Sequence, residues 1–379
     1  MGRRRVSVFS QLLFLNGLAI VAMVAHHAIG YSTTAMIWWA DRWRPVSVPN
    51  YDQLDTLFYD LLLVIGKLAN FAVPAFLFAS GVFATYMLHG ASDQGQRWKR
   101  VGPRVLGLLT TYMIWQVMYA VYRPLNGESL TWRILAQDVV VGGRFWFVYF
   151  LAQLYLLSPL LMRMAKHRPK LLLTVSALPV AGYIGVYYLT VAKLLSGADT
   201  SLLDYLVYDM PFDYWPKLLL FFVGGMVCGM RLGEVRAWTH RYRWPLLAAT
   251  VVLAGLALLE SEIVYRNTEW YEFWSGFSSI PGMLYVVSFI FCFLGFSDAR
   301  ILGFSHVYEI GKASLGIYLA NRFVLEFTAR ALQKFAPRSL AYPAVFYLLL
   351  VISAVEVPIL ARWVIAKSPA RRLNRYLFT

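Results

Sequence analysis

The stretch Leu12-Leu-Phe-Leu-Asn-Gly-Leu-Ala-Ile-Val-Ala-Met-Val-Ala-His-His-Ala28 decides how the chain is read. It is an apolar run that closes on two adjacent histidines. A helix of about 20 apolar residues rises about 1.5 Å per residue and so crosses the roughly 30 Å of hydrocarbon in a bilayer. Segment 10–30 meets that requirement. Imidazole is a poor lipid-facing group, and ionisable side chains in such a segment face the bundle interior or a wet cavity, where they mark functional sites. Asn16 and His27 are separated by about three turns, roughly 16 Å of rise, and share one helical face. His26 points about 100° away and reads as a packing or interface residue.

Working outward, the same apolar signature repeats. Of the 379 residues, 59% are apolar, 16% aromatic and 15% charged, against about 25% charged in soluble domains. Ten segments are long and apolar enough to be expected as transmembrane helices: 10–30, 68–88, 104–123, 145–163, 171–192, 215–232, 244–263, 277–296, 313–332 and 341–363. The expected architecture is an all-α polytopic membrane protein of about ten helices, forming a single integral-membrane domain over 1–379. The first segment exceeds the apolar core of a signal peptide and is read as a retained helix. Cys228 and Cys292 fall within spans, so no disulfide framework is implied.

A formal net charge of +15 invites a nucleic-acid reading. The basic residues are spread over short loops instead of gathering on one domain or arm, which excludes it. If the N-terminus, with Arg3, Arg4 and Arg5, is cytoplasmic, the segments on that side hold the larger share of the 35 basic residues. This is the positive-inside pattern, and it places both termini in the cytoplasm of a multi-pass protein of the cell membrane, expected to be a bacterial inner (plasma) membrane.

Several positions stand out against this background. The first outer loop carries Trp38, Trp39, Trp43 and Tyr51, either an interfacial aromatic belt or a platform for stacking a sugar ring. Lys67 falls near the depth of His27, where it either snorkels to the headgroups or serves a site. In Gln96-Arg-Trp-Lys-Arg-Val-Gly-Pro-Arg104, a helical continuation stacks Arg97, Arg100 and Arg104 on one face, with Pro103 suited to the first turn of the next helix. Arg grips two phosphate oxygens at once, although such a cluster also satisfies the positive-inside pattern. In Gly225 and Gly229 a small-xxx-small pair suggests close helix packing. In Ala313-Ser-Leu-Gly-Ile-Tyr-Leu-Ala-Asn-Arg-Phe-Val-Leu-Glu-Phe327, four-residue spacing puts Tyr318, Arg322 and Glu326 on one face. An Arg322–Glu326 pair is expected to neutralise both charges, or the two line a pathway. Glu356 is a further candidate. The chain has no GxxxxGK loop, GxGxxG, GxSxG elbow or HExxH, and its six histidines take no metal-ligand spacing, so no metal is expected.

These residues carry a resemblance to the integral-membrane acyltransferase family 3. The family's first helix bears an arginine, a glycine, an aliphatic run and a histidine, typically Arg-x10-His, and Asn16-Gly17 through His27 is similar to that frame. Val73-Pro-Ala-Phe-Leu-Phe-Ala-Ser-Gly81 resembles the second-helix pattern, and Lys99-Arg-Val-Gly-Pro-Arg104 the basic loop before the third. Phe145-Trp-Phe-Val148 and Ser314-Leu-Gly-Ile-Tyr-Leu-Ala-Asn321 resemble two later motifs, and the order holds over nearly the whole length. Two positions depart from the family: Asn16 replaces its arginine and Asn321 a histidine.

The resemblance implies acyl transfer, most often of acetyl from acetyl-CoA, to a hydroxyl of a glycan or lipid-linked sugar. The implied partners are acyl-CoA, a carbohydrate or glycolipid acceptor and the lipid bilayer. Arg97, Lys99, Arg100 and Arg104 would hold the CoA phosphates at the inner face. His27 would take the acceptor's proton, since an unperturbed imidazole titrates near 6.5; formation of an acyl-histidine is the less favoured route. Glu326 or Glu356 would orient the imidazole, and Arg322 or Lys67 would stabilise the oxyanion. Asn16, Lys67, Trp146, Tyr318 and Asn321 would meet substrate. Two rivals remain at this point. One is a sugar-lipid transporter using Lys67, Arg322 and Glu326, which broken helices would favour. The other is an acyltransferase-like protein that has lost catalysis through Asn16.

Overall fold

The computed structural model describes residues 7–36, 56–125, 129–197, 202, 214–268, 279–296 and 303–378. Arg3, Arg4, Arg5 and the loop aromatics Trp38, Trp39, Trp43 and Tyr51 lie outside the described residues. Within them every regular element is a helix. The order is α1 (Val8–Met36), α2 (Leu57–Leu68), a 3₁₀ turn (Ala69–Phe71), α3 (Ala72–Leu88), α4 (Gln94–Leu125), α5 (Trp132–Val141), α6 (Trp146–His167) and α7 (Pro169–Leu195). There follow α8 (Tyr214–Met230), α9 (Leu232–Arg241), α10 (Arg243–Thr268), α11 (Ile280–Gly295), α12 (Phe304–Lys312), α13 (Ser314–Phe335), α14 (Pro343–Lys367) and α15 (Asn374–Leu377).

Most of the ten expected segments lie along a single helix, whereas 68–88 crosses the 3₁₀ turn into α3, 215–232 crosses the bend between α8 and α9, and residues 277–278 lie outside the described residues. Among the described residues, 7 helices are long and apolar enough to cross a membrane, or 8 if α8 and α9, bent by 99° at Arg231, form one span. The other two expected spans fall short for different reasons. The α11 helix has only 16 residues, about 24 Å of rise, and α13 carries Arg322, Glu326, Arg330 and Lys334.

The expected 68–88 segment is the second half of an interrupted helix. Thr56 caps α2 by accepting from the Tyr59 amide at 3.3 Å, and the chain runs to Leu68 before the 3₁₀ turn interrupts it. Pro74 supplies a cause, because it has no N–H to offer the carbonyl of Asn70 one turn back and its ring crowds that carbonyl. Near the break, carbonyls take partners from other helices: Tyr285 Oη donates to Leu68 O at 2.8 Å, and His26 Nδ1 to Gly66 O at 3.3 Å.

At the start of α4, Asp93 Oδ1 accepts from the Gln96 amide at 2.8 Å while Gln96 Oε1 accepts from the Ser92 amide at 3.1 Å. This reciprocal cap starts the helix. The Gln96 amide, followed by weaker hydrogen bonds from Ser92 and Gly95, holds the Asp93 carboxyl below its ordinary range. The helix therefore begins before the basic stretch, and Pro103 lies inside it, not in its first turn as the sequence suggested.

Two reciprocal glycine contacts hold the core together. Gly81 of α3 packs on the Phe222 carbonyl of α8, and Gly225 of α8 packs on the Phe78 carbonyl of α3. Gly229 continues the seam against Thr85, so the small-residue spacing read from sequence marks a real interface. Gly17 of α1 and Gly311 of α12 form the second contact, against the Val307 and Leu13 carbonyls respectively.

Candidate active site

The site is assembled where α1 and α13 meet. His27 Nδ1 lies 2.8 Å from Asn321 Oδ1. Asn321 is 0% exposed, and its Nδ2 donates to the Tyr318 carbonyl one turn back in the same helix. A carbonyl only accepts, so this bond fixes the amide's orientation and turns Oδ1 toward the imidazole. Nδ1 must then carry the ring proton, which leaves the Nε2 lone pair as the basic position. Among the described residues Nε2 has no hydrogen-bond partner.

A cavity of about 460 Å³ opens beside the ring, lined by Met23, His26, His27 and Tyr31 of α1, Ala69 and Asn70 of the 3₁₀ turn, Ala72 and Val73 of α3, Trp146 of α6 and Arg322 of α13. The helix interruption is what brings Asn70 to this wall. His26 and His27 have ring centroids 6.3 Å apart. His26 anchors the interrupted helix through Gly66 and also faces the cavity, so it is more than the packing residue its helical angle implied.

Arg322 also lines a second, narrower cavity with Tyr119, Tyr122, Arg144, Phe145, Phe323 and Glu326. The expected Arg322–Glu326 ion pair does not form. Glu326 instead pairs with Arg330 at 2.6 Å. A carboxylate four residues before a cation is the favoured order on a helix, whereas Arg322 before Glu326 is the reverse. Nor does a carboxylate orient the imidazole, since Asn321 occupies Nδ1. Glu356 Oε1 accepts from His306 Nε2 at 3.2 Å on an exposed face of α12 and α14.

The remaining sequence candidates divide. Trp146 lines the His27 cavity. Tyr318 is buried against Phe147, with ring centroids 5.3 Å apart, and meets the site through its carbonyl. Lys67 is 3% exposed, so it does not snorkel to the surface, and it is not among the residues lining the cavity. Asn16 is 9% exposed on the same helix but away from this cavity, and its Oδ1 is buried without a hydrogen bond among the described residues.

Of the four basic residues at the start of α4, Lys99, Arg100 and Arg104 are exposed and Arg97 is half-buried, bonded to Gln94 Oε1 at 3.2 Å. Arg100 Nη1 donates to the Met87 and His89 carbonyls at 3.1 and 2.5 Å, closing the C-terminus of α3. Arg104 stands 5.7 Å from the Tyr155 ring centroid. Close by, a pocket of about 380 Å³ is lined by Thr85, Tyr86, His89, Arg231 and Glu234 among others. Nothing in the sequence signalled that Tyr31, Asn70 and Arg144 line these cavities or that Asn321 is bonded to His27.

Several membrane-length helices thus surround a cavity lined by both an oriented imidazole and a guanidinium. The chain belongs to acyltransferase family 3: the family's acyltransferase domain matches residues 12–363, nearly the whole length. It is accordingly a multi-pass membrane acyltransferase. Comparison with curated proteins and with solved structures gives no match.

Proposed function

We propose that this acyltransferase moves an acyl group, acetyl in the first instance, from cytoplasmic acyl-CoA to a hydroxyl of an extracytoplasmic or lipid-linked glycan, from a bacterial plasma membrane in which both its termini face the cytoplasm. The observation that carries the reading is the 2.8 Å contact between His27 Nδ1 and Asn321 Oδ1 at the edge of a cavity large enough for a sugar ring. With Nδ1–H held, Nε2 takes the proton of the acceptor hydroxyl as its oxygen attacks the thioester carbonyl carbon. The tetrahedral adduct collapses with loss of the CoA thiolate, and the imidazolium returns its proton to that sulfur. Asn321 is neutral, so it orients the imidazole without compensating the charge the ring acquires. Lys99 and Arg104 are the cations best placed for the donor's phosphates, because Arg100 already closes α3.

Two expectations follow here. Asn321→Leu removes the acceptor for Nδ1–H and the donor to Tyr318, and should lower kcat about 10- to 100-fold while costing about 1–3 kcal/mol of stability. Asn321→Asp restores an acceptor at Nδ1 and should recover much of kcat; equal loss in both variants would remove the orienting role. Lys99→Ala combined with Arg104→Ala should weaken acetyl-CoA binding several-fold in a salt-dependent way. Unchanged affinity in a direct titration would remove these residues from the donor site.

The interruption at Ala69–Phe71 is the kind of broken helix that the transporter reading requires. Proteoliposomes given acetyl-CoA labelled in the acetyl group separate the two. Free CoA release that needs His27 supports transfer chemistry, whereas movement of a sugar-lipid without CoA release supports transport.

A further inference from the structure

Among the described residues, Arg322 has no ion-pair partner although it is half-buried and borders both cavities. Among the described residues, Glu326 is paired with Arg330 at 2.6 Å and Asp138 with Arg123 at 2.7 Å. Arg144 lines the second cavity beside Arg322, its guanidinium 4.5 Å from the Tyr119 ring centroid. A half-buried guanidinium with no counter-ion favours an anion in the cavity it lines.

The donor does not supply that anion at the reacting centre. A thioester carbonyl is neutral, and the phosphates of CoA are separated from it by the whole length of the pantetheine arm. The acceptor can supply it. Trp146 and Tyr31 line the same cavity as Arg322, and a guanidinium matches a carboxylate or a phosphate through two parallel hydrogen bonds.

Resting on the acyl-transfer reading, we propose that the acceptor is an anionic glycan or glycolipid, and that Arg322 receives a carboxylate or phosphate carried near its reacting hydroxyl. The permanent charge of the acceptor then completes a cavity that a neutral sugar leaves unbalanced, and Arg322 sets acceptor specificity.

The test uses the purified full-length protein in lipid nanodiscs, titrated calorimetrically with methyl β-D-glucuronide, glucose 6-phosphate and methyl β-D-glucoside. At least one anionic probe should bind about tenfold or more tightly than the neutral glucoside. Arg322→Gln should abolish the difference, and Arg322→Lys should retain part of it. Preference for the glucuronide assigns a carboxylate-bearing acceptor, and preference for the phosphate a phosphorylated one. Equal affinities, no binding of either anion, or a preference that survives in Arg322→Gln would each overturn the proposal. So would full displacement of the anionic probe by CoA, which would give Arg322 to the donor. The comparison of probes on the unaltered protein stands even if a variant fails to fold. Failure of the acyl-transfer reading shows separately, as CoA release equal in His27→Ala and unaltered protein, and leaves the binding preference intact.

Discussion

His27→Ala is expected to lower CoA release and acceptor acylation by about 100- to 10,000-fold, the range that general-base catalysis contributes. The loss should fall on kcat, because the alanine enlarges the cavity while leaving Arg322 and Trp146, the proposed acceptor contacts, in its wall. His27→Gln sharpens the test. Glutamine can engage Asn321 by hydrogen bonding but offers no basic nitrogen, so it should restore packing and thermal stability while leaving turnover as low as in His27→Ala. His26→Ala gives the contrast. Its Nδ1 supports the Gly66 carbonyl of the interrupted helix at 3.3 Å, so its loss should reduce stability and shift KM while sparing most of kcat. If His27→Ala, at normal membrane levels, acylates as well as the unaltered protein while His26→Ala is inactive, the assignment of the base is wrong.

What the sequence disclosed follows the range of the interaction concerned. Apolar run length is a local property, and the described residues of the ten expected segments are almost all helical. The Gly225 and Gly229 spacing is local too, and it faces α3 as a packing seam. The contact that defines the site joins residues 294 positions apart, and no pattern within either helix announces it. Asn321 looked like a substitution for a family histidine when viewed along α13 alone. Its meaning comes from α1, which presents Nδ1 to the side of the amide that Tyr318 leaves open.

The partner of Glu326 was misjudged for a different reason. Both Arg322 and Arg330 are four residues from it, and the direction of the pair along the helix, not the spacing, decides between them. Asn70 reached the cavity wall through the helix interruption, for which Pro74 was the available signal. Its consequence depends on the neighbouring helices, since Tyr285 and His26 satisfy carbonyls near the break.

The seam between α3 and α8 carries the second large effect. A Cβ on Gly225 would overlap the carbonyl oxygen of Phe78 and crowd its Cα, all backbone atoms of a helix that cannot rotate away as a side chain can. Gly81 meets the Phe222 carbonyl in the same reciprocal way, so separating the helices to admit one methyl group loses both contacts. Gly225→Ala is therefore expected to destabilise the protein by at least about 1–3 kcal/mol, the usual penalty for overpacking, and Gly225→Val by more. The readout is the thermal midpoint of the detergent-solubilised protein together with the amount recovered in the membrane. Gly224 supplies an internal control one residue away. A Cβ there meets nothing within 4 Å, and alanine gains up to about 1 kcal/mol of helix propensity over glycine, so Gly224→Ala should leave the midpoint unchanged or raise it. Because α3 also carries Ala72 and Val73 into the His27 cavity, Gly225→Ala should lower turnover along with stability. A Gly225→Ala protein as stable and active as Gly224→Ala would mean that α3 and α8 do not approach at this seam, and that the cavity wall is held by other contacts.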